Sequence, residues 1–153
     1  MHTSVVRETS TPRRDSVSAN ILISGLKKDH GEMAALIASI REAAQTGCAD
    51  AAKSRLFRLR LLAQSHTATE KDKVYGFIED RVRLEGVEHN YREEAGKLLK
   101  QVELFFTKHG SPRQLLTTDF LPDLAVLEGV LQDGVTHEHE RLFPFFLDLR
   151  NWE

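Results

Sequence analysis

The sequence predicts an all-α protein with the architecture of an up-down-up-down four-helix bundle. Over four long segments, apolar residues recur at alternating steps of three and four, which is the spacing of a helix that buries one face. No segment of the sequence shows the sustained alternation of a strand or the paired turn signals of a hairpin. The connections between the first three segments are short, and short connections favour antiparallel neighbours in a bundle.

The first two helices are predicted from two such stripes. The first helix ends at Thr46-Gly47-Cys48, where Gly47 suits the position just after a helix end. The second helix starts near Asp50 and continues to about Leu84. The stripes contain Ile23, Leu26, His30, Met33, Ile37, Ile40 and Ala44 in the first helix, and Leu56, Leu59, Ala63, His66, Glu70, Val74 and Phe77 in the second.

The third and fourth helices follow the same pattern. The third is predicted to run from about Val87 to Lys108, with Gly110 after its end. The fourth begins near Pro122, because proline suits the first turn of a helix. Pro144 should kink or loosen the last part of this helix, since it removes a backbone hydrogen bond. The stripes contain Tyr91, Ala95, Leu98, Val102 and Phe105 in the third helix, and Leu124, Leu127, Leu131, Gly134, Glu138, Leu142 and Phe145 in the fourth.

Length and charge limit how many domains the chain is expected to form and which classes of partner it is expected to bind. The chain of 153 residues is predicted to hold one bundle at residues 20–149, after a flexible tail at residues 1–19. The formal net charge is -2 and no basic stripe is present, so nucleic acid is not an expected partner. No apolar run approaches the ~20 residues of a membrane span, and the tail lacks the apolar core of a signal peptide. With its lone Cys48, the chain is expected in the cytoplasm.

Four positions within the stripes carry a polar residue where the pattern predicts Leu or Ile. These are His30, His66, Glu70 and Glu138. A buried carboxylate without a partner costs several kcal/mol or becomes protonated, whereas carboxylates and imidazoles that converge on a cation are stabilised. His66 and Glu70 lie one helical turn apart and therefore share a face. This combination suits iron, manganese or zinc, and two bridging carboxylates suit a pair of metals.

Four short motifs surround these positions and occur in order along the chain. They are Asp29-His30, His66-Thr67-Ala68-Thr69-Glu70 followed by Val74-Tyr75-Gly76, Glu88-His89, and Glu138 followed by Leu142-Phe143-Pro144. In this order, over residues 20–149, they resemble the hemerythrin-like, or HHE cation-binding, family. The resemblance implies a non-haem centre of two iron ions, with manganese or zinc as the alternative metals. The ligands that it implies are His30, His66, Glu70, His89 and Glu138.

The fourth helix departs from the family pattern at Gly134. Glu138 corresponds to Glu70, and His66 lies four residues before Glu70, but the residue four before Glu138 is a glycine. Two interpretations stay open. In one, His137 replaces the absent histidine from a position about 60° around the helix. In the other, Gly134 opens a coordination position to water or a small molecule, reduces the site to one metal, or accompanies the loss of metal binding.

The function that the resemblance implies is binding or sensing of a small gaseous or redox ligand, such as dioxygen or nitric oxide, or sensing of iron or redox state. One alternative is an enzyme that uses the same centre to act on oxygen, peroxide or nitric oxide. Another is a helical signalling or interaction bundle without metal. His139 and Glu140, next to the fourth motif, are expected to face solvent.

Overall fold

A computed structural model describes residues 14–84 and 96–151 of the protein. All regular structure within these two ranges is helical, and neither contains a strand. The elements are α1 (Arg14–Gln45), α2 (Ala49–Thr69), the π-helical segment π1 (Glu70–Tyr75), α3 (Gly76–Leu84), α4 (Lys97–His109), α5 (Phe120–His137), the π-helical segment π2 (Glu138–Leu142) and α6 (Phe143–Asn151).

Two of the long helices each consist of three consecutive elements. The backbone stays helical at both junctions of π1, so that α2, π1 and α3 form one helix, and α5, π2 and α6 form another in the same way. Contacts join α1 to α2, α2 to α4, α4 to α5, and α5 back to α1. The prediction of an all-α helical bundle is therefore confirmed for the described residues.

The connection between α1 and α2 is the tight turn that the sequence predicts. Gly47 has a φ of 79°, in the left-handed region that glycine adopts without a steric penalty. The N–H of Cys48 donates to the carbonyl of Ala43 at 2.8 Å, which satisfies one of the free carbonyls at the helix end.

The start of α1 differs from the prediction. The chain is already helical from Arg14, so residues 14–19 are not part of a flexible tail. Ala19 is buried because it extends the stripe of Ile23 and Leu26 by one more turn. Residues 1–13 of the predicted tail, and residues 85–95 of the predicted third helix, lie outside the described residues.

The π segments shift the buried face of each helix by one residue. The sequence pattern predicts Phe77 and Phe145 in the core, but the buried residues are Ile78 and Phe146, while Phe145 is exposed. A π turn holds more residues than an α turn, so the stripe beyond it continues one position later. The wider turn of π2 ends at Leu142, two residues before Pro144. This is the part of the helix that the sequence predicts to be loosened.

The core consists of two separate apolar clusters. The larger cluster contains Met33, Ile37, Ile40, Ala43, Ala52, Leu56, Leu59, Ala63, Val102, Phe105, Phe120, Leu124, Leu127 and Leu131. The smaller cluster contains Ala19, Ile23, Leu26, Val74, Tyr75, Ile78, Val82, Leu142, Phe143 and Phe146. On each long helix the polar stripe residues fall between the two clusters: His30 lies between Leu26 and Met33, for example. The fold therefore places a polar layer inside the bundle.

None of the described helices is long and apolar enough to span a membrane.

Candidate metal centre

Four buried polar side chains meet in the layer between the two apolar clusters. His30, His66, Glu70 and Glu138 each offer one ligand atom, and these four atoms lie within 4.8 Å of one another. Their exposed fractions are only 3–7%. Such a group, taken from three different helices, has the residue types and the proximity that a metal ion requires.

Local helix geometry positions the two carboxylates. Glu70 is the first residue of π1, and Glu138 is the first residue of π2. His66 precedes Glu70 by one turn of α2, so the two side chains share a face, as the sequence predicts. Single-turn π segments within α-helices are frequent at functional sites.

Each imidazole contacts one of the two glutamate carboxylates through its Nε2 atom. Nε2 of His30 lies 2.8 Å from Oε1 of Glu138, and Nε2 of His66 lies 3.3 Å from Oε2 of Glu70. The ring centroids of the two histidines are 4.8 Å apart. On the other side of Glu138, the hydroxyl of Tyr75 donates a hydrogen bond to Oε2 at 3.2 Å. The site therefore consists of two adjacent His–Glu pairs.

The outer nitrogen of each histidine has a partner of its own. Nδ1 of His66 donates to Oδ2 of Asp29 at 3.0 Å. Nδ1 of His30 shares a hydrogen bond of 2.9 Å with Nε2 of His139. Partners of this kind fix the orientation of a metal-ligating imidazole, and a carboxylate also increases its basicity. With Nδ1 of His66 held by Asp29, its other ring nitrogen, Nε2, faces Glu70.

The two carboxylates cannot both be ionised in this environment without a cation. Burial raises the pKa of Glu70 to about 11, and a hydrogen bond with Glu138 and the charges of Glu138 and Asp29 act in the same direction. Burial also disfavours the ionised form of Glu138, but hydrogen bonds with His30 and Glu70 outweigh it and lower the pKa of Glu138. Without metal the pair therefore holds one proton, mainly on Glu70.

One buried oxygen atom of the cluster lacks a hydrogen-bond partner among the described residues, and this bears on whether a metal ion fits the site. Oε2 of Glu70 is fully buried, and no described residue forms a hydrogen bond with it. The nearest ring nitrogen is Nε2 of His66, at 3.3 Å. A cation between this oxygen and this nitrogen would satisfy both. The donor set of two imidazoles and two carboxylates thus fits a metal of the iron, manganese or zinc type.

Of the two remaining predicted site residues, the structure describes only His137. His89 lies outside the described residues. His137 is exposed and is not among the four clustered residues, although it lines the cavity beside them. His139, which the sequence predicts at the surface, is instead half-buried against His30. His139 lies three residues before the buried Leu142, so these two residues share a side of the helix.

Asp29 is a site residue that the sequence analysis names only as part of a motif. It lies one position before His30 and so falls off the stripe, and no periodic signal marks it as a partner of a residue 37 positions away. Partial burial of the His139 imidazole lowers its pKa, and the neighbouring His30 and Lys27 act in the same direction, so the ring that supports His30 favours the neutral form.

A cavity of about 390 Å³ lies beside the cluster. All four clustered residues line it, together with Gly134 and Lys97 among others. Among the described residues, the cavity is lined by α4 and α5 as well as by the helices that carry the cluster.

A third buried histidine among the described residues lies outside the cluster, in a different environment. His109, at the end of α4, donates from Nε2 to Oδ2 of Asp123 at 2.7 Å. Its ring lies against Phe105 and Phe120, with centroid distances of 4.7 and 5.2 Å. Lys108 pairs with the same carboxylate at 2.9 Å. His109 is therefore a locally satisfied structural histidine.

Comparisons with protein-family models, with curated proteins and with solved structures found no match for this chain. Any inference about its function therefore depends on the residues and on the geometry of the site.

Proposed function

We propose that the protein is a non-haem di-iron protein of the hemerythrin-like kind, an up-down-up-down four-helix bundle that binds or senses a small ligand such as dioxygen or nitric oxide. One observation carries the proposal: two buried carboxylates lie side by side, each with an imidazole whose outer nitrogen is already held by another residue. A bundle core with facing Glu and His side chains is the usual setting of carboxylate-bridged metal pairs.

The two His–Glu pairs suggest how the residues would divide between two metals. His30 with Glu138 would hold one ion, and His66 with Glu70 the other, with the adjacent carboxylates placed to bridge them. His89 stays a predicted further ligand from the sequence pattern. Iron bound in this way would supply reversible redox chemistry and a position for a small ligand.

The protein's own residues would tune that chemistry. Asp29 and His139 hold the two imidazoles in place, and the hydroxyl of Tyr75 holds Glu138. The apolar clusters on both sides of the layer restrict access of water, which strengthens each electrostatic contact within it. These features suit a centre that keeps its metals through cycles of ligand binding.

Metal analysis of freshly purified protein, before and after anaerobic reconstitution with ferrous iron, tests the proposal. We expect about two irons per chain and, after oxidation, a ligand-to-metal charge-transfer band. The variant His66→Gln should lose at least about tenfold in iron affinity. The variant His109→Gln is the matched control, because it removes a buried histidine that has no part in the cluster.

Two results would contradict the proposal. One is a reconstituted, folded protein that retains no iron. The other is equal iron retention by wild type and His66→Gln, since binding would then occur elsewhere.

The cavity beside the cluster makes an enzyme the second candidate. Steady turnover of peroxide or nitric oxide by the iron-loaded protein, lost in Glu70→Ala, would favour the enzyme over a binding protein.

A further inference from the structure

The two long helices that carry the carboxylates follow the same structural plan. Each changes from α to π geometry at a clustered glutamate, Glu70 in one helix and Glu138 in the other. These residues are 68 positions apart in the sequence. At this offset seven buried apolar residues of one helix match a buried apolar residue of the other: Ala52 with Phe120, Leu56 with Leu124, Leu59 with Leu127, Ala63 with Leu131, Val74 with Leu142, Tyr75 with Phe143, and Ile78 with Phe146.

The backbone follows the same plan at the metal centre. The N–H of Glu70 donates to the carbonyls of His66 and Thr67, and the N–H of Glu138 donates to those of Gly134 and Val135. Position 134 is therefore the counterpart of position 66 both in sequence offset and in backbone hydrogen bonding. At this one position of the buried series, a ligand-bearing residue in one helix corresponds to a glycine in the other.

The space next to Gly134 is open. A Cβ atom placed on Gly134 would meet no heavy atom within 4 Å among the described residues beyond its own helix. Gly134 is exposed, and it lines the same cavity as His30 and Glu138. At position 134 the helix backbone therefore approaches the His30–Glu138 pair in the way that a ligand position would. Because the residue is a glycine, it has no side chain to act as the ligand.

We propose that Gly134 leaves a coordination position on the metal beside His30 and Glu138 for an exogenous ligand. The ligand class is a small molecule with one nitrogen or oxygen donor and a size up to that of an imidazole ring, since the counterpart space is filled by the ring of His66. This inference rests on the proposed metal centre. It also assigns His137 no role as a ligand, because that side chain is exposed and outside the cluster.

Imidazole is the probe that tests the inference most directly, because it reproduces the absent side chain. The iron-loaded protein is titrated with imidazole and followed by its charge-transfer absorption. We expect saturable binding to wild type. Gly134→His should weaken imidazole binding at least about tenfold and should slow iron loss to a chelator, because the position is then filled from within the chain.

Two variants serve as controls. Gly134→Ala adds a methyl group into open space and should retain imidazole binding. His137→Gln should behave like wild type in both iron retention and imidazole binding. Circular dichroism of the metal-free variants shows whether each one is folded before metal is added.

The outcomes separate this inference from the proposed function. If wild type holds iron but does not bind imidazole, or if Gly134→His binds it as tightly as wild type, the open position at Gly134 is refuted while the metal centre stands. If His137→Gln loses iron or binds imidazole more tightly than wild type, His137 fills the position and the inference is wrong. If neither wild type nor any variant holds iron, the proposed function fails, and this inference fails with it.

Discussion

Replacement of Glu70 by glutamine is expected to stabilise the metal-free protein while it removes one of the proposed metal ligands. In the metal-free fold, burial and the neighbouring Glu138 raise the pKa of Glu70 to about 11. In the unfolded chain the same carboxyl has an ordinary pKa of about 4.3. Between these two values the folded protein binds one proton that the unfolded chain does not hold.

The sign and size of the effect follow from this difference in bound protons. Because the folded state binds more protons, the free energy of unfolding falls as pH rises through this range, by about 1.4 kcal/mol per pH unit. From pH 6 to pH 8 the loss amounts to about 2.7 kcal/mol. Glutamine has the same shape, cannot ionise, and can still donate a hydrogen bond to Glu138. The metal-free variant Glu70→Gln should therefore lack this part of the pH dependence.

Urea unfolding at pH 6, 7 and 8, in the presence of a chelator, measures the effect. The stability advantage of Glu70→Gln over wild type should grow with pH, by up to about 2.7 kcal/mol across this range. Glu140→Gln is the matched control, since Glu140 lies in the same π segment as Glu138 but is exposed. The reasoning is refuted if wild type, Glu140→Gln and Glu70→Gln show the same pH dependence, because Glu70 would then be ionised in the metal-free fold.

Three further predictions concern the surroundings of the centre and the core. Asp29→Asn keeps the shape of the partner of His66 but removes its charge, so we expect about 10–100-fold weaker iron affinity with unchanged helix content, as measured by chelator competition and circular dichroism. Leu124→Ala, in the larger apolar cluster, should lower the free energy of unfolding by about 2–5 kcal/mol without a direct effect on the ligands, and a smaller loss in urea unfolding would mean that the core closes around the cavity. Hydrogen bonding with His109 and pairing with Lys108 lower the pKa of Asp123, so this carboxylate stabilises the fold above pH ~4 and less as pH falls below it. Asp123→Asn should therefore be less stable than wild type at neutral pH, with a difference that shrinks in acid unfolding experiments.

Several features of this protein could be predicted from local patterns in the chain. The three- and four-residue spacing gives the helices because it depends only on the helix period. Gly47 marks the end of α1 because its left-handed backbone is a local property of one residue. His30, His66, Glu70 and Glu138 stand out because each is polar within an apolar stripe.

Which residues face the core beyond Glu70 and Glu138 could not be predicted in this way. The sequence carries no clear mark of a π turn, so the stripe is extended as a regular helix to Phe77 and Phe145. The structure buries Ile78 and Phe146 instead, because one turn in each helix is wider. His139, which the sequence predicts at the surface, lies against His30.

The sequence by itself determined the helices and the polar positions on their buried faces, since periodicity shows which side of a helix faces inward. Only the tertiary structure decided which of these residues meet, because height and rotation depend on how the helices pack. That packing placed Glu70 beside Glu138, joined Asp29 to His66, and set Gly134 opposite an open space. The sequence already marks Gly134 as the position that lacks a histidine, but whether a side chain would have room there depends on how the helices pack.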